Sequence, residues 1–213
     1  MVCVICQKRK AKRFCPAKAA MICAICCGNE REVTIDCPSD CPYLIASREH
    51  YEERHAVEWE KMPFAGRKIQ RSILIAHEKL FLELSYVICD YARENPALVD
   101  LDVIAAMQSL AESYETLTKG ILYEKPPDHR MQRELYDKLK LAVEEYKGRQ
   151  GQGLAALTSV RDPEIRDALI VLTQTSAARS NGRPKGRALI DMMRSQFKPD
   201  AFSRPASNLI VSP

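Results

Sequence analysis

The 213-residue chain has no apolar run of the length that a bilayer-spanning helix requires, and no membrane partner is expected. Its first residues, Met1-Val-Cys-Val-Ile-Cys, pass directly into Lys8-Arg-Lys-Ala-Lys-Arg13 with neither an apolar h-region nor a cleavage site, so the expected location is cytoplasmic. Catalytic signatures are missing as well: there is no nucleophile elbow, no phosphate-binding loop and no Gly-x-Gly-x-x-Gly run. Glu52 and His55 form a Glu-x-x-His spacing of the kind found in di-iron bundles, but those bundles need two such motifs and the second is absent. No enzymatic function and no small-molecule substrate are indicated. Internal repeats and strand-type alternation are also lacking, which leaves helices as the main building material.

What the chain does have is cysteine in one place. Eight of its nine cysteines lie within the first 41 residues, at Cys3, Cys6, Cys15, Cys23, Cys26, Cys27, Cys37 and Cys41. Two thiolates of a Cys-x2-Cys turn can reach one tetrahedral ion at about 2.3 Å, with two further ligands arriving from elsewhere in the chain. Eight thiolates make two four-cysteine sites with none left over, and zinc is the expected occupant. The order of the pairs gives an interleaved cross-brace: Cys3, Cys6, Cys23 and Cys26 around the first ion, and Cys15, Cys27, Cys37 and Cys41 around the second. Disulfides would need an oxidising compartment. A redox couple or an iron–sulfur cluster are the other chemistries open to such thiols. A segment of this size holds few large apolar side chains, so metal binding would have to supply its folding free energy, on the order of 10 kcal/mol per structural zinc site.

The run Cys3-x2-Cys6, Arg13-Phe14-Cys15-Pro16 and Cys23-x2-Cys26 resembles the start of HIT-type zinc fingers and of B-box fingers. The resemblance covers about a fifth of the chain. It implies two interleaved structural zinc sites and a module that docks other proteins. Two positions depart from those families: Lys18 stands where they place a ligand, and the closing pair is Cys37 and Cys41 without histidine. Cys27 is the nearest substitute for the missing ligand.

The rest reads as a mostly α bundle of about five to six helices behind this head, with residues 1–42 as the zinc module, 43–198 as the bundle and 199–213 as an irregular tail. Pro42 is placed to start a polar helix that runs to about residue 61. A helix over 68–94 is apolar on two faces, one with Leu80, Leu84, Val87 and Tyr91 and another with Ile75, Leu82 and Cys89, so it is expected at the centre of the bundle. Cys89 and His77 are read as core residues. Asp100 and Asp128 are expected N-caps of the next two helices, the first extending to Ile121 and the second ending at Gly148. A short helical piece is expected over 154–157. Asp162 is the expected N-cap of another helix with Pro163 at its first position, and Gly186 to Phe197 forms the last. A short hairpin in the head would draw on Phe14 to Cys23 and Glu32 to Asp36.

Net charge is +4, with both ends of the chain basic and the middle acidic. Two basic clusters stand out: Lys8, Arg9, Lys10, Lys12 and Arg13 between the first zinc ligands, and Arg179, Arg183, Lys185 and Arg187 in a glycine-bearing turn. They make nucleic-acid backbone contact the alternative to a protein-docking adaptor. A thiol redox sensor that loses its zinc on oxidation is the lesser alternative.

Overall fold

The structure, a computed structural model, describes residues 1–67, 69, 72–150, 160–198, 201 and 202. The head contains a two-stranded antiparallel hairpin, β1 (Arg13–Cys15) and β2 (Ala20–Ile22), with Phe14 opposite Met21. A short helix, α1 (Ala24–Glu30), follows at once. The second expected strand segment, Glu32 to Asp36, forms no strand; only a bridge between Arg31 and Ile35 is made there. The reason is local: Glu32 takes a left-handed backbone (φ +53°), which turns the chain out of an extended path.

Helix α2 (Pro42–Arg54) starts where Pro42 predicts, directly on the Cys41 N-cap, but ends seven residues earlier than expected. His55 leaves the helical region, and only a single 3-10 turn over Trp59–Lys61 follows. No side chain between Arg54 and Trp59 is buried, so nothing in that stretch anchors a further turn. The long helix expected over 68–94 is two: α3 (Ser72–Ala76) and α4 (Glu78–Glu94), broken at His77. Its second apolar face is largely solvated, with Ile75 83% and Leu82 51% exposed, although Cys89 is fully buried as expected. His77 is also buried, its Nδ1 3.5 Å from the Tyr146 hydroxyl.

The central helix is instead α5 (Asp100–Thr118), which packs against α6 (Arg130–Gln150), α7 (Asp162–Arg179) and α8 (Ala188–Ser195). Val103, Met107, Leu110 and Tyr114 make one buried stripe, and Ala106, Ala111 and Ser113 widen it with small side chains that let neighbouring helices approach from several sides. Helix α4 lies to the outside of this group, packed on α6 and α8. Gly120 (φ +76°) terminates α5 in a left-handed turn, so Ile121 is outside the helix and half exposed. Gly148 does not end α6: Tyr146 is buried, and Lys147 and Arg149 pair with Asp162 of α7 and Glu83 of α4, which holds the last turn despite the glycine. Asp128 caps nothing and is fully exposed. The helical piece expected over 154–157 and nearly all of the tail lie outside the described residues.

Asp100 also differs from its expected role. It is fully buried at the start of α5, and its carboxylate accepts hydrogen bonds from the backbone amides of Leu189 (3.1 Å) and Ile190 (3.2 Å). It therefore caps α8, a helix some ninety residues away, while its own amide donates to the Gly186 carbonyl at 2.8 Å. Burial pushes its pKa up to about 6, against the pull of the two amides.

Two outcomes follow for stability. Asp100→Ala should cost about 2 kcal/mol in urea denaturation, since it orphans two buried amides. A carboxyl whose folded pKa is raised binds extra protons when folded, so its stabilising contribution is present below about pH 4 and lost as pH rises to about 6. The stability of the native chain relative to Asp100→Asn should thus fall between these values and stay level above them. A flat difference would show that Asp100 does not titrate in this window.

Candidate metal centre

Residues 1–11 fold into a knuckle. Val2 bridges Lys10, the Cys3 amide donates to the Arg9 carbonyl at 2.9 Å, and the Gln7 amide donates to the Cys3 carbonyl at 2.8 Å with Gln7 in a left-handed conformation (φ +52°). This turn presents Cys3 and Cys6 to one side. The second pair comes from the start of α1: Cys23 is the N-cap, and its sulfur accepts the Cys26 amide at 3.4 Å. The sulfurs of Cys3, Cys6, Cys23 and Cys26 all lie within 4.8 Å of one another, with Cys6 and Cys23 4.0 Å apart. Tetrahedral bonds of about 2.3 Å put neighbouring sulfurs roughly 3.8 Å apart, so this group can hold a metal ion with little movement.

Burial raises Cys3, but amides of Cys6, Cys23 and Ile5 donating to its sulfur outweigh that and bring its pKa down to about 6. Cys26 is pushed up to about 12 by burial and by the neighbouring sulfurs. Arg9 hydrogen-bonds the Cys23 sulfur, which places a cation beside a group that would carry a net charge of about −2 as a four-thiolate zinc site.

Cys26 and Cys27 are consecutive on α1 and therefore point about 100° apart. Cys27 turns away from the first group and, with Cys15, Cys37 and Cys41, lines a small void of about 10 Å³ closed by Ile22, Ile35 and Tyr43. Cys15, Cys27, Cys37 and Cys41 thus line one void, but among the described residues only the first group brings its sulfurs within 4.8 Å of one another, and the second four form no such group. The Cys27 sulfur accepts instead from Arg31 at 3.6 Å, and Arg13, which also stacks over Tyr43 at 4.7 Å, interacts with it as well. Burial raises Cys37, against the Glu32 amide that donates to its sulfur.

The second basic cluster does not lie free on the surface as the sequence leads one to expect. Arg183 donates through one guanidinium nitrogen to the carbonyls of Gly28 (3.1 Å) and Arg31, and the Lys185 amide donates to the Glu32 carbonyl at 2.8 Å. Arg187 begins α8, with its Nε buried and unpartnered. In the first cluster Arg9 and Arg13 face sulfurs, whereas Lys8, Lys10 and Lys12 remain exposed. No protein-family model, curated protein or solved structure matches the chain.

Sequence reasoning missed the residue that joins the head to the bundle. Glu32 is 2% exposed; its carboxylate accepts from Arg48 of α2 (2.8 Å) and from Asn181 (2.7 Å), and Arg48 also donates to Asp191 of α8 (2.7 Å). A glutamate just after a cysteine-rich helix carries no sequence signal for this role, because both partners are far along the chain. Glu32→Ala leaves Arg48 and Asn181 without their carboxylate, and removal of one partner from a buried pair costs about 3–5 kcal/mol. Denaturation of that variant should show the loss, and limited proteolysis should cut the head first. Unchanged stability would show that the apolar contacts alone hold the two parts together.

Proposed function

We propose that this chain is a non-catalytic adaptor whose cysteine-rich head is folded by two structural zinc ions and docks a partner protein. The observation that carries the reading is the convergence of the Cys3, Cys6, Cys23 and Cys26 sulfurs within 4.8 Å. Sulfurs this close leave room for one ion and not for a multi-iron cluster between them. A site closed by four thiolates has no open coordination position, which favours a structural over a catalytic role. The second ion is assigned to Cys15, Cys27, Cys37 and Cys41, with Cys27 exchanging its arginine contact for the metal. The likeness to HIT-type and B-box fingers agrees with an interleaved pair of sites.

Partner docking is supported by the outer surface of the head. Its core consists of Cys3, Ala11, Cys15, Ile22, Cys23, Cys26, Cys27 and Ile35, while Val2, Val4, Phe14 and Ile25 are half exposed or more. Such a group of outward apolar side chains on a small module is a surface that a protein partner would cover. The nucleic-acid reading retains Lys8, Lys10 and Lys12, but Arg183 and Lys185 are engaged with the head.

Elemental analysis of protein purified under reducing conditions should find two zinc ions per chain. Cys26→Ser should lose the first ion, and Cys27→Ser should lose one ion and keep the first. Full zinc retention in Cys27→Ser would remove Cys27 from the ligand set. Less than one zinc, or iron in its place, would overturn the reading of the head.

A further inference from the structure

Two cavities adjoin where α2 meets the end of α7, sharing Tyr51, Glu52 and Arg179 as a common wall. The larger, about 450 Å³, is lined by the rings of Tyr51, His55 and Trp59 together with Met62 and Ala178. Tyr51 and His55 stand edge to face at 4.0 Å, and Trp59 is 57% exposed, so an aromatic face is available to a planar ligand. The smaller, about 170 Å³, has Arg31, Arg48, Arg179 and Arg183 in its walls against two glutamates, Glu32 and Glu52. Glu32 and Asp191 of α8 neutralise Arg48, whereas Glu52 reaches Arg179 only at 3.9 Å, a long and half-exposed pair that contributes little. Arg183 is held by neutral carbonyls, and the buried Arg48 Nε has no partner.

We infer that this double cleft binds a nucleotide, with the base on the Tyr51, His55 and Trp59 face and the phosphate between Arg179 and Arg183. The two halves supply the two chemistries that such a ligand combines: stacking, which tolerates any base, and charge-assisted hydrogen bonds to phosphate oxygens. The larger volume falls in the range of small-ligand pockets, and the smaller one suits a single phosphate group. The inference does not depend on the metal assignment of the head. It uses aromatic residues spaced four apart along residues 51–59 that the fold brings to the basic turn.

Trp59 is the one tryptophan in the chain, so its fluorescence reports this cleft alone. Titration of the full chain at constant ionic strength with AMP should give saturable quenching. Inorganic phosphate should compete with AMP without quenching. Arg179→Ala should weaken AMP by about tenfold or more and leave adenosine unchanged, whereas Glu52→Gln, which removes the competing carboxylate, should tighten AMP. Zinc content and denaturation of both variants establish that they are folded. A short oligoadenylate that binds more tightly than AMP, and loses affinity as salt rises, would identify single-stranded nucleic acid as the source of the nucleotide; equal or weaker binding would identify a free nucleotide. Absence of saturable quenching by AMP and oligoadenylate up to ~5 mM, or quenching that Arg179→Ala and Glu52→Gln leave untouched, would overturn the inference.

Discussion

A buried carboxylate that must be paired fixes how the two parts of this protein sit together. Glu32 is all but inaccessible to water, and an ionised carboxylate in such a place persists only when its oxygens are satisfied. Arg48 and Asn181 satisfy them from opposite sides, and the backbone of the same residue is equally committed: its amide donates to Cys37 and its carbonyl accepts from Lys185. Glu32 itself sits in a left-handed turn. One residue thereby contacts α2, the basic turn and the second set of cysteines. Arg48 extends the connection to Asp191 in α8, the helix that Asp100 caps from the start of α5. The head is thus tied to the central helix through a chain of buried and partly buried polar contacts.

The charges around the sulfurs follow from the same need for compensation. Four thiolates on a divalent ion leave a net negative group, and a small module has no depth in which to dissipate it. Arg9 beside Cys23, and Arg13 and Arg31 beside Cys27, place cations where that charge would develop. A basic run threaded between these cysteines therefore has a structural use before any nucleic acid is considered. Lys8, Arg9, Lys10 and Lys12 of that run are exposed, and only Arg13 is partly covered.

How much of this was legible in the sequence depends on the range of the interaction that decides each feature. Cys-x2-Cys spacing is a local signal, and it located both halves of the first cysteine group, while Pro42 located the start of α2. The signal Asp162-Pro163-Glu164 also located the start of α7, although the N-cap is Arg161 and the expected cap Asp162 is the helix's first residue, with Glu164 accepting the Arg161 amide at 2.8 Å. Asp100 shows the limit. Asp100 has the composition of a local cap, but the amides it satisfies belong to a helix that only the fold brings near. Central position in the bundle was misread for a related reason. Apolar residues on two faces pointed to α4, yet the helix that neighbours can approach from several sides is α5, because alanines and Ser113 lie between its larger side chains. Long-range charge pairing was the least readable: nothing near Arg183 predicts that it reaches the carbonyls of Gly28 and Arg31.

A core made of sulfur also explains why the head has apolar residues to spare. In an ordinary small domain, Val2, Val4, Phe14 and Ile25 would be needed inside, since burial is the main favourable term in folding. Here five cysteines fill most of the interior and Ile22 and Ile35 are the two large aliphatic residues among them, so the remaining apolar side chains face outward. If the metal supplies the folding free energy, that outward placement carries no penalty to the module itself and becomes available for docking. The same substitution has a second consequence at the seam. Arg31 and the carbonyls that hold Arg183 belong to the segment just after Cys27, so the walls of the cationic cavity are set by the fold of the head. Loss of metal would then loosen both surfaces together, the apolar one directly and the cationic one through Glu32.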